Sequence, residues 1–191
     1  MDKIELRDIL ISWLVLSLAF MIATRAFSLE LLATFLFIVG VSIITHEFAH
    51  RQVAKRLRFD ARYQAWPFGL TLALLSSFAG FIFAAPGAVY ISPRYVFHES
   101  RERLREANFK ISVAGPGTNI LLGVLFIGLL FTFPIQLFYF AAWINIWLAI
   151  FNLIPFPPLD GSKIFSYDVR YWGIMIASAG ALFVLLGGFR F

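Results

Sequence analysis

Between Leu31 and His50 the chain carries one charged residue, Glu47, and histidines flank it at positions 46 and 50. An ionisable group inside an apolar span costs roughly 2.5–3.5 kcal/mol on insertion scales. Three polar groups within His46-Glu47-Phe48-Ala49-His50 therefore ask for a common partner, and a divalent cation supplies one. On a helix, a spacing of four residues stacks both imidazoles on one face. Two neutral ring nitrogens can then reach one ion at about 2.0–2.1 Å. Glu47 is turned about 100° from His46, which suits it to a water beside the ion rather than to the ion itself. A general base needs that place. His46 and His50 are thus expected to be metal ligands, with Glu47 as catalytic base.

Zinc in a hydrolytic site takes three protein ligands and keeps a fourth position for water. The third should be another unexplained carboxylate or imidazole at similar depth. Between Ile111 and Ser162 the only charged residue is Asp160, within Asn152-Leu-Ile-Pro-Phe-Pro-Pro-Leu-Asp-Gly161. Its prolines end a helix by removing backbone donors, and Gly161 allows a sharp turn beside the carboxylate. Asp160 is the expected third ligand. The competing reading is a solvated Asp-Gly turn. His98, in a charged stretch, reads as a solvated loop residue.

The elements that must position these groups are membrane helices. Of the 191 residues, 60% are hydrophobic and 14% charged, against roughly 45–50% and 25% in soluble domains. Mean hydropathy is +0.82. Such a composition needs a nonaqueous solvent. With no cysteine, disulfides, thiolate metal sites and cysteine nucleophiles are excluded. The net charge of +5 calls for no nucleic acid, because membrane proteins gather Lys and Arg in cytoplasmic loops.

About 20 apolar residues make a span. Runs at about 9–27, 31–53, 109–133, 135–155 and 171–189 qualify. The first lacks a cleavage site and reads as a retained helix. All 16 basic residues except Arg25 and Arg190 can lie on one side. That arrangement gives a cytoplasmic N-terminus and brings the ends of the second and fourth spans to the cytoplasmic side. The stretch 65–91 lies between two basic loops and is too short for two crossings. It is expected to be a re-entrant hairpin with strand character at 87–92, a single helix over 67–84 being the other reading. The fold class is an all-α polytopic membrane protein of five to six spans, with a hairpin or strand insertion after the second. It forms one domain over 1–191, with its core at 30–165.

The motifs His-Glu-Phe-Ala-His at 46–50, Ala-Gly-Pro-Gly-Thr-Asn at 114–119 and Asn-x-x-Pro-x-x-Pro-Leu-Asp-Gly at 152–161 together resemble the site-2 protease family of intramembrane metalloproteases. The resemblance implies zinc on His46, His50 and Asp160, Glu47 as base, and Asn152 and Asn119 as groups that hold or polarise a substrate peptide. A helix-to-helix hydrogen bond is the other reading of Asn119. Implied partners are transmembrane-helix protein substrates and membrane lipid. The expected activity is hydrolysis of peptide bonds within or near those helices, at a site toward the cytoplasmic side of the cell membrane. The chain has no room for the PDZ or CBS modules of larger members. A metal-binding membrane protein without proteolysis, such as a zinc carrier or helix-binding scaffold, is the alternative.

Overall fold

Apolar runs fold here as helices, which satisfy their own backbone polar groups. The computed structural model describes residues 3–93 and 100–187. Its elements run α1 (Lys3–Ala23), α2 (Leu29–Leu57), β1 (Phe59–Ala65), α3 (Pro67–Ser77), β2 (Gly87–Pro93), α4 (Arg101–Thr132), α5 (Gln136–Asn152), α6 (Asp160–Tyr167) and α7 (Val169–Leu185). His98 and Arg190 lie outside the described residues.

Local chemistry sets the ends of α2. Ser28 caps its start, its hydroxyl accepting from the Leu31 N–H at 3.0 Å, with Glu30 in the first turn facing the positive end of the helix dipole. Lys55 and Arg56 occupy the last turn, and Arg58 closes it at φ 65°. Trp13 of α1 donates its indole N–H to the Leu36 carbonyl at 2.7 Å, so one fixed contact sets the crossing of α1 and α2. An apolar core fills the space between α1, α2 and α5, around Phe20, Phe35, Val39, Trp143 and Trp147.

The helices α1, α2 and α4 are long and apolar enough to cross a membrane. The expected fourth and fifth spans fold as the apolar helices α5 and α7, each of 17 residues, near the lower limit for a span. Helix α4 starts eight residues before the expected span, at Arg101.

The insertion needs a correction. Its first strand is not within 65–91 but at 59–65, inside the segment read as a basic loop. There Phe59, Ala61, Tyr63 and Ala65 alternate with Asp60, Arg62 and Gln64, the period of a half-buried strand. β1 pairs antiparallel with β2, Tyr63 opposite Val89 and Ala65 opposite Gly87. Between them lies α3, whose 11 residues are too short to span.

Helix α1 holds the outer side of β1. Glu5 accepts from the Tyr63 N–H at 2.9 Å and pairs with Arg51 of α2. Asp8, one turn on, accepts from the Ala65 N–H at 3.2 Å. Glu5 thus ties the sheet to the helix that carries the histidines, and Asp8 adds a second anchor of β1 on α1.

Candidate metal centre

His46 and His50 are buried on one face of α2, their rings 4.7 Å apart between centroids. That face meets α4 at Gly115. A Cβ built there collides with Nε2 of both histidines, so only glycine lets the two helices approach this closely. Asp160 arrives from the start of α6. The turn before it folds tightly because Gly161 sits against the Leu153 and Ile154 carbonyls, where any Cβ would clash.

The hydrogen bonds settle where the protons lie. A carbonyl only accepts, so Asn145 must donate its Nδ2–H to Ala141 O, at 2.8 Å. Its Oδ1 then accepts from Asn119 Nδ2, at 2.9 Å. Asn119 Oδ1 is left to face His46 Nδ1 at 2.5 Å, and that nitrogen must be the protonated one. His50 Nδ1 donates to the Ile111 carbonyl at 2.7 Å. In the neutral rings that a metal requires, both Nε2 atoms then present lone pairs. They lie 3.0 Å apart, and Asp160 Oδ2 lies 3.1 Å from one and 3.5 Å from the other.

With both rings neutral, three acceptor atoms converge on one point. A cation between them satisfies all three at once, and two imidazoles with a carboxylate are a zinc donor set. Each ring also has the outer hydrogen bond that fixes ligand orientation in metal sites. The residues fit the ion that the sequence implied.

Glu47 is buried at 7% exposure and makes no hydrogen bond or ion pair among the described residues. It lines, with His46, His50, Asn119, Asn152 and Asp160, a cavity of about 20 Å³, room for about one water. Asn152 donates back to Leu148 O at 3.0 Å. Asn119 is engaged at both ends, by His46 and by Asn145.

Several members of the site escaped the sequence reading. Asn145 is a polar residue in an apolar span, the same signal that drew attention to Glu47. Tyr63 lines the cavity, where burial, then the charge of Glu47, pushes its phenol far above the usual range. It therefore stays protonated and donates to Ser12 Oγ at 2.8 Å. Lys163, one turn after Asp160, donates to the Val89 carbonyl at 2.9 Å and lies 3.8 Å from Asp160 Oδ1.

Comparison with known proteins agrees with this chemistry. The model of peptidase family M50 matches residues 34–136 and 132–183. A protein of Methanocaldococcus jannaschii, named provisionally as zinc metalloprotease MJ0611, is 38% identical over 177 residues, which are 90% of this chain and 88% of its own. YwhC of Bacillus subtilis, named in the same way, is 32% identical over 149 residues, 65% of this chain and 64% of its own. No solved structure matches. Family match, relatives and donor set agree: the chain belongs to peptidase family M50, the site-2 protease family of zinc metalloproteases.

Proposed function

We propose that this metalloprotease cleaves peptide bonds within or near transmembrane helices of other membrane proteins, at a site toward the cytoplasmic side of a multi-pass bundle in the cell membrane. The observation that carries the reading is the convergence of His46, His50 and Asp160 beside a buried, unpartnered Glu47. The histidines and Glu47 lie on α2, a helix apolar enough to cross a membrane, and Asp160 meets them from the start of α6. An apolar recess of about 280 Å³ between α1 and α2, with Glu47 on its margin, supports access by apolar segments.

Zinc, when bound, acidifies a water and polarises the scissile carbonyl. Glu47 takes the proton from that water and returns it to the leaving amine. Asn119 holds His46 in the tautomer that turns Nε2 to the ion, and the Ile111 carbonyl does the same for His50. Asn152, on the cavity wall, is the substrate-facing amide, with Asn119 behind His46. A substrate helix hides its backbone polar groups in internal hydrogen bonds, so it must unwind before attack. The outer edge of β2 is suited to hold the unwound segment by strand addition, because Gly87 and Val89 line the catalytic cavity.

The test is cleavage of a model transmembrane substrate in proteoliposomes by the wild type and by Glu47→Gln. Loss of a general base typically costs about 10²–10⁴ in rate. The variant should retain zinc while cleavage falls by about that factor. Undiminished cleavage would refute the base, and a zinc-loaded wild type that cleaves no transmembrane substrate would refute the function.

A further inference from the structure

The two edges of the β1–β2 pair are treated differently. Opposed residues of an antiparallel pair both face each other's backbone groups or both face away. The N–H groups of Tyr63 and Ala65 are taken by Glu5 and Asp8 of α1, so these residues face away from β2. Their partners Val89 and Gly87 therefore turn their backbone polar groups away from β1, along the outer edge of β2. One edge is closed by the protein's own carboxylates. The other runs past the catalytic cavity, and the Val89 carbonyl on it is held at 2.9 Å by the ammonium of Lys163.

A lysine over an open strand edge is a recognised guard against unwanted pairing. Here its setting also makes it removable. Its side chain is partly exposed, at 27%, and the stem is long and flexible. Asp160 Oδ1 lies 3.8 Å from the same ammonium. An ammonium has three donors, so it can leave the carbonyl without leaving all acceptors behind.

We propose that Lys163 is a displaceable plug on the outer edge of β2, holding the Val89 carbonyl until the N–H of an extended substrate segment replaces it. The inference rests on the strand-addition reading above. Lys163 is in this view a positioning residue: it filters segments by their ability to present a free N–H in register with Val89, and it moves toward Asp160 as they enter. Helical segments, whose N–H groups are already bonded, leave the plug in place.

The test separates this inference from the proteolytic reading by measuring binding rather than turnover. A short fluorescent Val/Thr-rich peptide and its singly N-methylated versions are titrated onto zinc-loaded Glu47→Gln protein in micelles, with and without Lys163→Met. A hydrogen bond to a charged donor is worth roughly a factor of ten or more in an equilibrium constant. Lys163→Met should therefore tighten peptide binding about tenfold at unchanged zinc content, while Lys163→Arg should bind as the parent does. N-methylation at one peptide position should erase the gain, because that amide can no longer reach Val89. Equal or weaker binding by Lys163→Met overturns the proposal, as does a gain that survives N-methylation at every position. Lys163→Ala repeats the comparison if the Met variant loses zinc. Loss of zinc in both variants makes Lys163 a support of the metal site and overturns the plug. Cleavage of the transmembrane substrate by the protein with Glu47 intact reports on the proteolytic function independently.

Discussion

Helix α2 carries two kinds of interior along one axis. Toward its N-terminus, Phe35, Ile38 and Val39 pack into an apolar core, Phe35 stacking on Phe20 at 6.1 Å and tilting on Phe140 at 5.3 Å. Toward its C-terminus, Ser42, His46, Glu47 and His50 are as deeply buried but polar. In the first half the contacts are non-directional and the cost of a change follows the volume lost. In the second, directional hydrogen bonds on the two Nδ1 atoms fix which nitrogen of each ring faces the site, so a single missing oxygen changes the chemistry. Stability and function are thereby placed on adjacent turns of the same element, and they should respond to substitution independently.

The strongest challenge to that separation is Asp160→Ala. It removes the ligand that comes from outside α2, and zinc measured per purified protein should fall well below one equivalent, with cleavage lost. A fully loaded, active variant would dissolve the site as drawn. Next in size is Phe35→Ala, which empties a site exposed by only 1% and should cost about 3 kcal/mol in unfolding measured in mixed micelles. The folded fraction should bind zinc as the wild type does. A change in zinc affinity there would show that the two halves of α2 are coupled. The subtlest change is Asn119→Ala, which leaves all three ligands but frees His46 Nδ1. Chelator competition should show zinc bound about 10–100-fold more weakly. An unchanged affinity would mean that the Asn145–Asn119–His46 chain does not orient the ligand.

Much of the site was legible in the residues alone. Charges stand out against an apolar background, so Glu47 and Asp160 announced themselves by their cost. Gly161 was readable as a sharp turn beside Asp160, though not the carbonyls it packs against. Asn145 carried the same signal more weakly, because an uncharged amide costs less to bury and draws less notice. The strand at 59–65 was hidden by Arg62 and the basic run Arg51–Arg58 just before it. Arg62 and its neighbours serve equally as an orientation signal and as the solvated face of a strand, and the charge count outweighed the alternation. Lys163 counted only among the basic residues placed on one side of the membrane, since nothing local distinguishes a lysine that faces water from one that reaches a carbonyl 74 residues away.

What the sequence determined by itself is whatever lies within one turn of one element: the two imidazoles on a common face, the glutamate beside them, the proline-ended helix before Asp160. Covalent spacing and helix geometry dictate those relations before the chain is packed. The tertiary structure decided the rest: that Asp160 Oδ2 meets both Nε2 atoms, which nitrogen of each ring faces the site, and which edge of the small sheet has no strand partner among the described residues. Those depend on distances between elements far apart in sequence, which only the packing of α2 against α4, α6 and the α1-tethered sheet establishes.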